Sequence, residues 1–138
     1  MDINSILKEN EKPKMNTLSP LTLAFVGDSV YEMFIRTKVL KEGNRPANEL
    51  HKIAVGYVKA SAQAKAAHKI LESLTDKEIE VYKRGRNTNI HTVPKNADMA
   101  DYRHATALES LIGYLYLNGE NERLEEILNL AYTILSQR

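Results

Sequence analysis

The sequence predicts an all-α domain, and three observations carry that prediction. Apolar residues recur at helical spacing through most of the chain after residue 17, and nowhere does the apolar–polar alternation of a half-buried strand occur. Helix-boundary signals punctuate the pattern at Ser19-Pro20, Thr75-Asp76-Lys77-Glu78 and Asn118-Gly119. The chain has 138 residues, 43% of them hydrophobic, which is the size of one domain with a real core. The spacing gives about six or seven helices.

Residues 1–17 read as an N-terminal arm. Ile3, Ile6 and Leu7 show weak periodicity ahead of Lys12-Pro13-Lys14, which fits a short helix with a linker or a frayed segment. The main unit, 18–138, opens at Ser19-Pro20. Serine is a good N-cap, and proline is tolerated at the first helical position because its missing N–H would be unpaired there. This helix is predicted to run to about Lys41, ahead of Gly43 and Pro46. Leu21, Leu23, Phe25, Val26, Val30, Tyr31, Met33, Phe34 and Ile35 cover more than one of its faces. Such a helix is either central in a core or shared between the core and a partner, and in so small a domain the second option predicts a dimer interface.

From Pro46 a stripe of Leu50, Ile53, Ala54 and Tyr57 leads into the alanine-rich run 60–68, helical by propensity, which ends near Leu74. Thr75 and Glu78 form a capping box for a helix reaching about Arg84. Residues 85–97, with three asparagines, one glycine and one proline, lack helical period and read as a long loop, the kind that is often functional. A second strongly apolar helix spans Met99 to Leu117 and stops at Asn118-Gly119. The last takes 121 to about 136, with Leu124, Ile127, Leu128, Ala131, Ile134 and Leu135 on its stripe.

Composition narrows the function classes. There is no cysteine, so disulfides and thiolate metal sites are excluded and a reducing compartment is compatible. The amino terminus has no apolar signal-peptide core, and no apolar run approaches the roughly 20 residues that span a bilayer. A cytoplasmic protein without a membrane partner is expected. Net charge is only +1, but its distribution is uneven. Lys83, Arg84, Arg86 and Lys95 share a stretch without acids, while Glu120, Glu122, Glu125 and Glu126 cluster around Arg123. The basic stretch suits a polyanion held at one face, or is a solvated loop.

The residues that invite chemistry are the acids set into the two most apolar helices. Gly27 precedes Asp28, and Gly113 lies one turn after Glu109. Glycine inside a helix is unfavourable by about 1 kcal/mol against alanine, and a close crossing of two helices would account for both glycines. That crossing would bring Asp28 and Glu109 together. Converging carboxylates repel unless a proton or cation lies between them, and a hard divalent ion such as Mg²⁺ suits them. The alternative is that each acid faces solvent or pairs with a base, Arg36 and Arg103 being the candidates. Glu32 is placed for an i,i+4 ion pair with Arg36. None of the four histidines makes an i,i+4 pair, so zinc is not expected; His91, in the basic loop, is the one best placed for a substrate. Tyr114 and Tyr116 are assigned to packing.

These stretches resemble a known family. Leu23-Ala24-Phe25-Val26-Gly27-Asp28-Ser29-Val30 resembles the signature helix of ribonuclease III catalytic domains, and Glu109-Ser110-Leu111-Ile112-Gly113-Tyr114-Leu115-Tyr116-Leu117 resembles that family's second acidic helix. Arg84-Gly85-Arg86-Asn87 and Tyr102-Arg103-His104-Ala105-Thr106 are similar to the short bacterial branch, which carries no separate double-stranded-RNA-binding domain; none is expected here. The resemblance runs from about Leu18 to the last helix.

The resemblance implies a homodimeric helical bundle that cuts double-stranded RNA with Mg²⁺, Mn²⁺ being able to substitute. Asp28 and Glu109 would be the catalytic and metal-holding acids, Phe25 an aromatic of the dimer interface, and the products 5′-phosphate and 3′-hydroxyl ends. Arg84, Arg86, Asn87 and Lys95 are assigned to RNA binding. The branch is associated with maturing the large-subunit ribosomal RNA precursor, with a ribosomal protein as a candidate assistant. Two departures stand out: the longer enzymes carry acids where this chain has Ala24 and Thr106. Fewer carboxylates leave the number of metals open. They also leave open a non-catalytic RNA-binding domain; a Mg²⁺-dependent pyrophosphohydrolase would need the closely spaced glutamates that are missing here.

Overall fold

The structure is a computed structural model that describes residues 1–90, 93 and 95–137. Among these residues every regular element is helical: α1 (Pro20–Lys38), α2 (Ala47–Val58), α3 (Ala60–Ile70), α4 (Asp76–Asn87), α5 (Met99–Leu117) and α6 (Asn121–Ser136), with short 3₁₀ turns between and before them. No described helix is long and apolar enough to cross a membrane.

The expected boundary chemistry is in place. Ser19 caps α1, accepting from the Thr22 N–H at 3.2 Å, with Pro20 in the first turn. Thr75 and Glu78 make the reciprocal capping box of α4 at 3.2 and 3.0 Å. Gly119, at φ 72°, ends α5 in the left-handed conformation that glycine adopts without a Cβ penalty.

Three boundaries differ from the sequence reading. Helix α1 stops at Lys38 and tightens into a 3₁₀ turn, Val39–Glu42. A break at Lys59, whose ψ of 153° is extended, splits the stretch after Pro46 into α2 and α3. Gly85, Arg86 and Asn87 belong to the last turn of α4 rather than to a loop. The reason is packing: a β-carbon on Gly85 would lie 2.7 Å from Ser110 Oγ and 3.0 Å from Ala107 Cα, so this glycine lets α4 approach α5.

Helix α5 is the axis of the bundle, packed against α1, α3, α4 and α6. Its Leu108, Leu111, Ile112 and Leu115 are fully buried with Tyr31, Ile35, Tyr82 and Ile127. Glu78 carries more than its capping role: Arg123 of α6 grips its carboxylate through two nitrogens at 2.8 and 2.9 Å and donates to the Ser73 carbonyl. The arm forms three 3₁₀ turns, with Ile3 buried and Asp2 accepting from Asn121 at the start of α6.

Candidate active site

The glycines in α1 and α5 face each other. A β-carbon on Gly27 would drive into the Glu109 carbonyl and lie 2.8 Å from Gly113 N; one on Gly113 would drive into the Leu23 carbonyl and lie 3.1 Å from Gly27 N. The two backbones therefore touch, as the glycine spacing predicts. On α1, Leu23, Ala24, Gly27, Tyr31 and Ile35 are buried, while Phe25, Ser29 and Met33 are exposed. Asp28 sits on the flank between these faces and is exposed; Glu109 is half-buried on α5.

The crossing brings the two acids together. Glu109 is pushed up from the usual 4.5 to about 8, first by burial, then by the Asp28 carboxyl within hydrogen-bonding reach, with Glu32 adding repulsion. One contact opposes the shift: Gln63 of α3 donates from Nε2 to Glu109 Oε2 at 3.4 Å. No arginine neutralises the pair among the described contacts. Arg36 is engaged by Glu32 at 2.9 Å, as its spacing predicts, and Arg103 donates to the carbonyls of Arg86 and Thr88 at 3.3 and 3.4 Å, closing the end of α4. Two carboxylates against each other, with a proton needed to keep them there, are a donor set that suits a hard divalent cation. Among the described residues, no group of three or more acids or histidines is gathered for a metal. Ala24 and Thr106, buried one turn from Asp28 and Glu109, explain this. The methyl of one is inert, and the hydroxyl of the other donates to Tyr102 O at 2.9 Å.

The basic residues lie at the end of α4 and beyond. Arg84, Asn87 and Lys95 are exposed, and Arg86 is half-buried with its Nε donating to Asn87 Oδ1 at 3.2 Å. His91 lies outside the described residues. His104 takes a structural role, its Nδ1 2.6 Å from the Tyr82 hydroxyl and its ring against His68. Phe25 is 76% exposed and Met33 52% exposed. With Val26, Val30, Phe34 and Tyr116 they line an apolar groove on the outer face of α1.

The Ribonuclease III domain family matches residues 21–120. Mini-ribonuclease 3 of Thermoanaerobacter sp. (strain X514) is 48% identical over 121 residues, covering 88% of this chain and 85% of its own length. Mini-ribonuclease 3 of Symbiobacterium thermophilum is 49% identical over 115 residues, covering 83% and 88%. The chain belongs to the Mini-ribonuclease 3 branch of the ribonuclease III family. It is an endoribonuclease. A crystal structure of a protein from Fusobacterium nucleatum superposes with a TM-score of 0.76 at 34% identity, covering 83% of this chain and 92% of that one. The family match contains the α1–α5 crossing, both acids and the end of α4. Gln63 is the contact that the sequence reading missed. Its only signal was a polar side chain set inward among Ala62, Ala64, Ala66 and Ala67.

Proposed function

We propose that the chain is a Mg²⁺-dependent endoribonuclease that cleaves double-stranded RNA as a homodimer and matures the large-subunit ribosomal RNA precursor in the cytoplasm. The observation that carries this reading is the Asp28–Glu109 pair at the Gly27–Gly113 crossing, together with membership of a family that acts on double-stranded RNA. Asp28 and Glu109 would hold the ion, with Mn²⁺ able to substitute because both ions take carboxylate oxygens. When bound, it supplies a water of lowered pKa and stabilisation of charge on the phosphoryl oxygens. The backbone contact between α1 and α5 would hold the helices that carry the two carboxylates in fixed relation on loading.

Arg84, Arg86, Asn87 and Lys95 would take the phosphates and 2′-hydroxyls of A-form RNA, which is recognised by shape across its shallow minor groove. The exposed apolar face with Phe25 at its centre is the surface that a second copy would cover. A two-fold dimer then offers one site to each strand, leaving 5′-phosphate and 3′-hydroxyl ends. A ribosomal protein bound to the precursor is a candidate for presenting the duplex.

The test is incubation of the purified protein with a long RNA duplex, with and without Mg²⁺. Asp28→Asn and Glu109→Gln are expected to lose cleavage by at least about 100-fold while dimerisation and RNA binding stay near wild type. Cutting at the wild-type rate by either variant contradicts the paired-acid reading. Binding without cleavage by the unmodified chain supports instead a non-catalytic RNA-binding domain.

A further inference from the structure

Beside the paired acids lies a buried amide whose hydrogen bonding is incomplete. Gln63 is 3% exposed. Its Nε2 donates to the Val58 carbonyl at 2.8 Å and faces Glu109 Oε2 at 3.4 Å. Among the described residues, its Oε1 is the buried side-chain polar atom left without a partner. The orientation of the amide follows from its neighbour: a main-chain carbonyl only accepts, so the NH₂ must face Val58, and Oε1 is turned away from it. Val58 is the last residue of α2, just before the break at Lys59 that starts α3, and the Gln63 N–H donates to Lys59 O at 3.0 Å. Leaving an amide oxygen buried and unpaired is unfavourable, and the other buried residues of this helix, four alanines and Ile70, are all apolar. An apolar residue would satisfy packing at that position without the orphan.

We propose that Gln63 is a positioning residue for Glu109: anchored on the Val58 carbonyl, it holds one oxygen of that carboxylate through Nε2 and leaves Oε1 to accept from water of the hydrated cation. The inference rests on the reading of Asp28 and Glu109 as the ion-holding pair. The physical case is that a donor to a carboxylate favours its charged form, the form a cation requires, and fixes which way it points. Mg²⁺ keeps several waters when carboxylates bind it, so a hydrated cation on the pair would offer donors to the unpaired acceptor of the same side chain.

The experiment uses the whole chain without RNA. Mg²⁺ is titrated into wild-type protein while the side-chain amide resonances of Gln63 are followed by ¹H–¹⁵N NMR, and Mg²⁺ affinity is measured by calorimetry for wild type, Gln63→Met and Asp28→Asn. Methionine keeps the length of the side chain and removes both amide functions. The Gln63 resonances are expected to move at saturation. Gln63→Met is expected to bind Mg²⁺ about 10-fold more weakly, with a metal-free melting temperature within about 5 °C of wild type. Resonances that stay put at saturation, or unchanged affinity in Gln63→Met, overturn the role of Gln63; should the variant not fold, the wild-type resonances decide alone. Mg²⁺ binding that Asp28→Asn abolishes and Gln63→Met leaves intact rejects this inference and keeps the paired acids. Mg²⁺ binding that Asp28→Asn leaves intact rejects the paired acids themselves.

Discussion

At the scale of the residue, Glu109 is held where its charge is costly. Its carboxyl titrates at about 8 against 4.5 ordinarily, because burial and the Asp28 carboxyl both oppose ionisation. A group raised in this way contributes stability that is fully present below its unfolded value and is lost as pH rises through its folded value. The metal-free protein is therefore expected to lose stability between pH about 4.5 and about 8, the window set by those two values. Melting temperatures across that range check this, and Glu109→Gln is expected to flatten that part of the profile. A slope that survives in the variant would assign it to another group. Glu78 runs the opposite way: the Arg123 guanidinium on its carboxylate lowers it, so its contribution is present above the usual carboxylate value and is lost as acid protonates it.

At the scale of the element, the α1–α5 crossing is decided by two hydrogen atoms where other residues have side chains. Gly27→Ala puts a methyl against the Glu109 carbonyl and Gly113 N, both main-chain atoms that cannot swing aside. Overpacking of this kind costs about 1–3 kcal/mol, and chemical denaturation is expected to show a loss in that range. The separated helices carry Asp28 away from Glu109, so cleavage is expected to fall further than stability alone explains. An alanine variant of wild-type stability and activity would mean that α1 and α5 can pack apart without consequence. Gly85 belongs to the same class of contact, bringing α4 onto Ser110 and Ala107 of α5. It thereby fixes where the last turn of α4, with Arg84 and Arg86, projects.

For the whole molecule, the apolar face of α1 and the basic end of α4 are the surfaces on which the proposed dimer and the proposed RNA contact can be tested. Phe25→Lys places a charge in the middle of the exposed patch, and desolvating it in a symmetric interface occurs twice. Sedimentation is expected to show the affinity of the dimer weakened by at least about 10-fold. An unchanged dimer would move the interface elsewhere. Arg86→Ala is expected to weaken binding to duplex RNA and to lower the slope of log affinity against log salt by about 0.9, the loss of one phosphate contact. Measuring affinity at several salt concentrations separates this from a structural effect, which would leave the slope alone.

Amino-acid order alone carries the set of helices and the acids worth watching. Caps at Ser19, Thr75 and Gly119 act within a few residues, so local pattern is enough to find them, and the apolar circumference of α1 already announced a surface left over after folding. The paired glycines even announced the crossing, because glycine weakens a helix unless a close packing contact offsets the loss. Tertiary structure decided what depends on neighbours distant in the chain. Gly85 looks like a breaker until Ser110 and Ala107 are beside it. Gln63 is an anonymous polar residue until the break at Lys59 offers it the Val58 carbonyl and α5 offers it Glu109. Arg103, a candidate partner for the acids by charge, instead closes α4. The acids are thus left to each other, because charge is written in the sequence but its compensation depends on which elements pack together.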